Sequence, residues 1–307
     1  MKRRTKKASL TVLAAMLAVS AHAQEAAWTD LRAQVVALYQ EGRIPEALKA
    51  AEMALDVAEG TFGAEHPAVA TSLSDLGELY RAQGKEKAAE SLVTRALAIR
   101  EQALGPGHPA VAASLNDLVL LYHVQEKYAV AEPLAQRALA IDEKALGTDH
   151  PDVARDLTNL AAVYRAQGMY AAAVPLSNRA LVIMEKAYGP SHPHVALALN
   201  NLAGLYDSQG EYAAAEPLYK RALAVGEVAL GPDHPYVAAI LRNLATLYGI
   251  QGRYAEAENL QKRAIAILEK AFGPSPRDVP GHTQEMGTHG EAHEFGEPAP
   301  RIPSKEQ

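Results

Sequence analysis

Cysteine is absent from all 307 residues of the sequence. Disulfide bonds, thiol chemistry and zinc–thiolate sites are therefore excluded, and the hydrophobic core has to supply the stability of the fold. No G-x-S-x-G motif occurs either. We expect no catalytic residues, no cofactor and no metal site. An enzyme whose site forms between helices is the alternative.

Long apolar runs are also missing. The apolar stretch at residues 10–19 follows five basic residues and precedes Ala21-His22-Ala23, and it is far shorter than the roughly 20 residues that span a bilayer. This order predicts a signal peptide over residues 1–23, cleaved before Gln24. An uncleaved anchor is the rival interpretation. Because no cysteine follows, a lipoprotein is excluded. We expect export to the periplasm or, alternatively, secretion, and no stable membrane insertion.

Positive charge is scarce once residues 1–23 are removed. They hold five basic and no acidic residues, so that 25 Lys and Arg then face 36 Asp and Glu, a net charge of −11. Nucleic acids and anionic membranes attract basic surfaces. The composition therefore excludes nucleic acid as the expected partner.

A His-Pro pair recurs every 42 residues without drift. Proline suits the first position of a helix, since its missing N–H would be unbonded there, and the residue before it is held extended as a helix cap requires. Equivalent residues of stacked repeats lie about 10 Å apart, too far to share a metal ion. We therefore interpret the histidines as helix starts: His66, His108, His150, His192 and His234.

Each 42-residue copy contains two helical patterns. In the third copy, apolar residues from Val153 to Tyr164 fall on one helical face, and a second face runs from Ala173 to Ala187. Gly168 ends the first pattern and Gly189-Pro190 ends the second. Each copy is thus predicted to form helix A, a tight turn, helix B and a loop.

The motifs "NLAGLY", "GEYAAAEPLYKRALA" and "LGPDHP" in residues 199–238 resemble the tetratricopeptide repeat of the kinesin light chain type. HEAT and armadillo signatures do not match these positions. The resemblance implies an all-α, right-handed superhelical solenoid of about six units that binds peptides or proteins and has no intrinsic chemistry. We expect a degenerate N-terminal capping repeat at 24–65 and five units at 66–273.

The resemblance also implies that the outward face of helix A lines a concave groove. Asparagines there carry both a donor and an acceptor and can pair with the backbone of an extended peptide, whereas pairing with a neighbouring helix or solvent is the alternative. Asp75 and Asp117 replace asparagine in the first two full repeats. The candidate groove residues are Asp75, Asn116, Asp117, Arg155, Asn159, Arg165, Asn200, Asn201, Arg242 and Asn243.

Residues 274–307 contain six prolines and four glycines, a composition that predicts a disordered tail. The segment His289-Gly-Glu-Ala-His293 is H-x-E-x-H instead of a zinc-binding H-E-x-x-H. We interpret it as solvated, with adventitious metal binding as the alternative.

Since no capping helix is visible, the last helix B is expected to be partly uncovered. It would then serve as a weak dimer surface in an otherwise monomeric protein, or lie under the folded-back tail. A self-associating structural subunit of an envelope assembly is the alternative function.

Overall fold

The computed structural model describes residues 23–273. Residues 1–22, the predicted tail and its H-x-E-x-H segment lie outside the described residues. Within 23–273 the chain forms twelve α-helices and no strands. They are α1 (23–40), α2 (Ile44–Phe62), α3 (Pro67–Ala82), α4 (Glu86–Leu104), α5 (Pro109–Val124), α6 (Tyr128–Leu146), α7 (Pro151–Ala166), α8 (Tyr170–Tyr188), α9 (Pro193–Ser208), α10 (Tyr212–Leu230), α11 (Pro235–Ile250) and α12 (Tyr254–Phe272).

The helices group into two compact units, one ending at Leu121 and one beginning at Tyr122, so that the division falls within α5. In unit 1, α3 packs against α4 and α2 packs against α3. In unit 2, three consecutive pairs, α7–α8, α9–α10 and α11–α12, stack through contacts between each helix B and the next helix A. The predicted all-α architecture of stacked helix pairs is confirmed. Odd-numbered helices are helices A below, and even-numbered helices are helices B.

The recurring histidines start the helices A, as predicted. His66, His150, His192 and His234 have extended backbones, and a proline follows each at the first helical position. In all five copies the imidazole Nδ1 accepts a hydrogen bond from the backbone N–H two residues on, which occupies one of the unpaired donors of the helix end. The N–Nδ1 distances are 3.1 Å for His66, 3.1 Å for His108, 3.2 Å for His150, 3.3 Å for His192 and 3.1 Å for His234.

The helix ends also follow the sequence. Gly168 after α7 has φ +74° and Gly189 after α8 has φ +85°, conformations that glycine adopts without steric cost. Glu126 occupies the position of Gly168 in the preceding copy and still adopts φ +56°. It is the one non-glycine residue with positive φ among the described residues.

The core repeats with the same period. Two positions of helix A are fully buried in every copy, and burying each such side chain contributes about 1.5–3 kcal/mol. In the first, third and fifth copies the leucine of the first position packs between the two helices of its own pair and the preceding helix B. These positions are Leu73, Leu115, Leu157, Leu199 and Leu241, and Val69, Val111, Val153, Val195 and Val237.

Ion pairs join successive helices B at a constant offset of 36 residues. In unit 1, Arg95 contacts Glu59 at 2.7 Å. In unit 2, an arginine of α8, α10 and α12 contacts a glutamate of the preceding helix B. Such exposed pairs contribute only about 0–1 kcal/mol each, and they recur at the same register from one repeat to the next. The unit 2 pairs are Arg179–Glu143 (2.5 Å), Arg221–Glu185 and Arg263–Glu227 (2.6 Å).

Candidate binding face

The candidate residues lie on the side of helix A that faces away from its paired helix B, here called the helix A face. Three of its asparagines are almost completely covered, namely Asn116, Asn159 and Asn200, which are 3–5% exposed. Asn201 and Asn243 are half-buried. The asparagines therefore differ in how much of the amide a ligand can reach.

Asn243 is partly used by the fold. Its Nδ2 donates to Oδ1 of Asn200 at 3.0 Å, which links α11 to α9. Asn201, next to Asn200 on α9, has no side-chain hydrogen-bond partner among residues 23–273. The alternative role, pairing with a neighbouring helix, thus applies to both Asn200 and Asn243, whereas the amide of Asn201 remains available.

Arg155 is held by three carboxylates of unit 2. Its Nη1 lies 2.8 Å from Asp152, and its Nη2 lies 3.7 Å from Asp142 and 3.8 Å from Asp156. The side chains of Asp142 and Asp156 are 1% and 0% exposed. Burial raises the pKa of Asp142 to about 6, while the nearby guanidinium of Arg155 opposes the shift. Arg155 therefore neutralises a buried acid pair in addition to any role at the face.

Arg165 crosses from α7 towards α9. A Cβ at Gly204 would lie 3.2 Å from its Nη1 and 3.6 Å from the hydroxyl of Tyr219, so the absence of a side chain at Gly204 makes room for the guanidinium. Tyr219 donates a hydrogen bond to Asp207, whose pKa is raised by burial although this bond opposes the shift. Arg165, Tyr219 and Asp207 together form a polar cluster in unit 2 beside Gly204, which lies one helical turn after Asn201 on α9.

The face of unit 1 is acidic. Asp75 is bound by Arg32 of α1, through Nε at 2.5 Å and Nη2 at 3.2 Å. Glu78 is exposed on this face. Desolvation by the surrounding protein raises the pKa of its carboxyl, the carboxylates of Asp117 and Asp75 add to the rise, and Arg81 opposes it. Sequence reasoning missed Arg32 as a partner, because α1 belongs to the degenerate repeat that lacks a His-Pro pair.

No group of three or more His, Asp or Glu side chains in residues 23–273 is placed to hold a metal ion. In the same range no helix is both long and apolar enough to cross a membrane. The described residues thus present a polar face on a scaffold of helix pairs.

These features define a class: an all-α repeat protein whose core is internal to stacked helix pairs and whose helices A carry a polar face. The sequence profile of the tetratricopeptide repeat matches residues 25–102, 88–144, 110–186, 157–227 and 195–270. The chain belongs to the tetratricopeptide repeat family. This fold is generally a non-catalytic scaffold for protein–protein interaction.

Solved structures support the assignment. The nearly identical repeats of a Podosopora anserina protein named for the kinesin light chain are 28% identical, with a TM-score of 0.57 over 68% of this chain and 100% of that chain. BtubC (BKLC) from P. vanneervenii is 26% identical, with a TM-score of 0.61 over 78% and 96%. Rap protein, solved in complex with Competence and Sporulation Factor, shares the fold at 15% identity, with a TM-score of 0.58 over 80% and 75%. No curated protein sequence matches this chain.

Proposed function

We propose that the protein is an exported, non-catalytic scaffold that binds an extended peptide or protein segment along the helix A face. The amide of Asn201 carries this proposal. It is half-buried, it lies on a helix whose opposite side forms the core, and no described residue uses its donor or its acceptor. A peptide backbone offers the complementary N–H and C=O groups whatever its side chains are.

The surroundings of Asn201 suit such a ligand. Asn243 lies at the same helical position in the next repeat. Its Nδ2 binds Asn200, but this bond does not use its Oδ1. Arg165 and Arg242 supply positive charge on the same face. The complex of Rap with Competence and Sporulation Factor is compatible with a ligand held by this fold.

The test compares Asn201→Ala with the unchanged chain. Peptides that bind the unchanged chain are selected from a random display library, and their Kd values are measured by calorimetry. Each hydrogen bond contributes about 0.5–1.5 kcal/mol, so that loss of a donor and an acceptor should weaken binding about 5- to 150-fold. Stability should hold or rise slightly, since alanine is the better helix former.

Two control variants separate binding from folding. Asn178→Ala makes the same substitution on an exposed site of helix B in unit 2 and should leave peptide affinity unchanged. Leu160→Ala, at a side chain 4% exposed, should destabilise the fold by about 2–5 kcal/mol through a cavity. Equal affinity of the Asn201→Ala variant for every selected peptide would show that ligands bind elsewhere.

A further inference from the structure

The last helix, α12, leaves part of its packing surface open. This terminal face consists of Ile265, Leu268 and Phe272, which lie on one side of α12. Ile265 is 48% exposed and Phe272 is 51% exposed. The residues at the same positions of α10 are packed against the core that α11 helps to form: a Cβ at Gly226 would lie 3.4 Å from Cδ1 of Ile240 and 3.7 Å from Cγ2 of Val237. The terminal face therefore has the composition of an internal junction.

The residue that covers the equivalent face of each helix B occupies a fixed position in the repeat. Every helix B is closed by a glycine, and the sixth residue after it is a valine that is 0% exposed in all five full repeats. Gly273 closes α12, and Val279 is the sixth residue after it. The segment Gly273-Pro274-Ser275 also repeats Gly189-Pro190-Ser191. The chain after α12 thus begins as another copy of the loop that leads to a helix A.

A second position agrees. The last residue of α2, Phe62, stacks on His66 four residues later, with ring centroids 4.8 Å apart. Tyr188 stacks on His192 in the same way at 4.6 Å. The equivalent residue of α12 is Phe272, and the residue four positions later is Pro276. A proline ring offers a flat apolar surface that can cover an aromatic ring in place of the imidazole.

The likeness to a helix A ends after one turn. Pro280 and Gly281 stand where the preceding copy has Ala238 and Ala239. A proline at this position removes the first backbone donor of the helical hydrogen-bond series, and glycine is a poor helix residue. The copied segment is therefore residues 274–279.

We propose that residues 274–279 fold back onto the terminal face, with Pro276 against Phe272 and Val279 against Leu268 and Ile265. Docked in this way, the segment would cover the terminal face and shield its apolar side chains from a second copy of the chain. Because it follows α12 directly, no long connection has to be closed. The expected disorder of the tail then begins after residue 279.

The lack of cysteine makes a cross-linking test simple. At the internal junction a Cβ at Gly226 would lie 3.7 Å from Cγ2 of Val237, so docking in the same way would bring positions 268 and 279 close to the Cβ–Cβ distance of about 3.5–4.5 Å that disulfides need. The full chain carrying Leu268→Cys and Val279→Cys should form an intramolecular disulfide, observed by mass spectrometry of proteolytic peptides from the monomer. The matched control, Leu268→Cys with Met286→Cys, should form it at least fivefold more slowly.

Two outcomes overturn the proposal. One is equal rates for the two pairs, which would mean that the segment has no fixed position. The other is a cross-link found only between chains, which would make a second copy the occupant.

Amide hydrogen exchange tests the docking independently of the cross-link. In the full chain, Val279→Asp should raise amide hydrogen exchange in the last turns of α12 about tenfold or more, because an apolar contact is lost. Met286→Asp is the matched control and should leave these rates unchanged. Truncation after Pro274 should reproduce the effect of Val279→Asp, whereas truncation after Gly281 should not. Unchanged exchange in both Val279→Asp and the shorter truncation would refute the docking.

Discussion

Arg155→Leu should destabilise unit 2. The substitution removes the guanidinium from Asp142 and Asp156, whose side chains are 1% and 0% exposed and lie 3.7 Å and 3.8 Å from its Nη2. Breaking a fully buried pair by removing one partner typically costs about 3–5 kcal/mol. Because the side chain of Arg155 is itself 34% exposed, we expect a smaller loss, about 1–3 kcal/mol, the usual cost of leaving a buried polar group without its partner. Urea unfolding at pH 7.5, followed by circular dichroism, measures the change.

The neighbouring repeat supplies a matched control. Met184, Leu197 and Ala198 lie 42 residues after Asp142, Arg155 and Asp156 and fill the same positions without charge. The triple variant Asp142→Met, Arg155→Leu and Asp156→Ala copies this apolar set. Replacing a buried ionic group with packed apolar side chains is often neutral or stabilising by about 1–4 kcal/mol. The triple variant should therefore recover the stability that Arg155→Leu loses.

The same cluster sets a pH dependence. Burial raises the pKa of Asp142 to about 6, above the value of about 3.9 in an unfolded chain. Between these two pKa values the folded state keeps a proton on Asp142 that the unfolded state releases, and this proton stabilises the fold. The stabilisation is lost as the pH rises through about 6. Arg155→Leu should be partly rescued at pH 5, and the triple variant should show no such rescue. A loss below about 1 kcal/mol for Arg155→Leu, or no rescue at pH 5, would refute the reasoning.

Two further predictions concern the backbone and the N-terminus. Glu126→Gly should stabilise the fold by about 0.5–1 kcal/mol. Glu126 holds φ +56°, which strains a residue with a side chain, and glycine stands at this position in the next copy as Gly168. A lower thermal midpoint for this variant would contradict the assignment of strain. N-terminal sequencing of the exported protein should begin at Gln24, after Ala21-His22-Ala23, and a sequence that still starts at Met1 would disprove cleavage.

The sequence predicts the fold well because its signals are local. His-Pro starts, glycine ends and apolar spacing each act within one helix, and the structure places the helix bounds and buried positions such as Leu157 accordingly. The candidate face was harder to predict. The bond between Asn243 and Asn200 and the ion pair between Arg32 and Asp75 join residues 43 positions apart. A helical pattern shows which side chains share a face, but not which partner a long side chain from another repeat will reach.

The side-chain contacts of Arg155 illustrate this limit. Its helical position places it at the face, but Asp142 of the preceding helix B draws its guanidinium towards the core. The signal lies in comparing repeats, since Asp142 and Asp156 are acidic where the next copy has Met184 and Ala198. Buried positions whose polarity changes from one repeat to the next, as from Ser114 to Asp156 to Ala198, therefore mark contacts that a single copy does not reveal.

Because the helix B ion pairs keep a constant offset of 36 residues, a whole repeat of 42 residues can be removed without separating the remaining partners. Deleting residues 151–192 would join His150 to Pro193, and Arg221 would then lie 36 residues after Glu143, in place of Arg179. A deletion of any other length would separate these partners and misplace the histidine caps. Only changes in steps of 42 residues therefore keep both the ion pairs and the histidine caps in register, and each step adds or removes one helix A with its outward face.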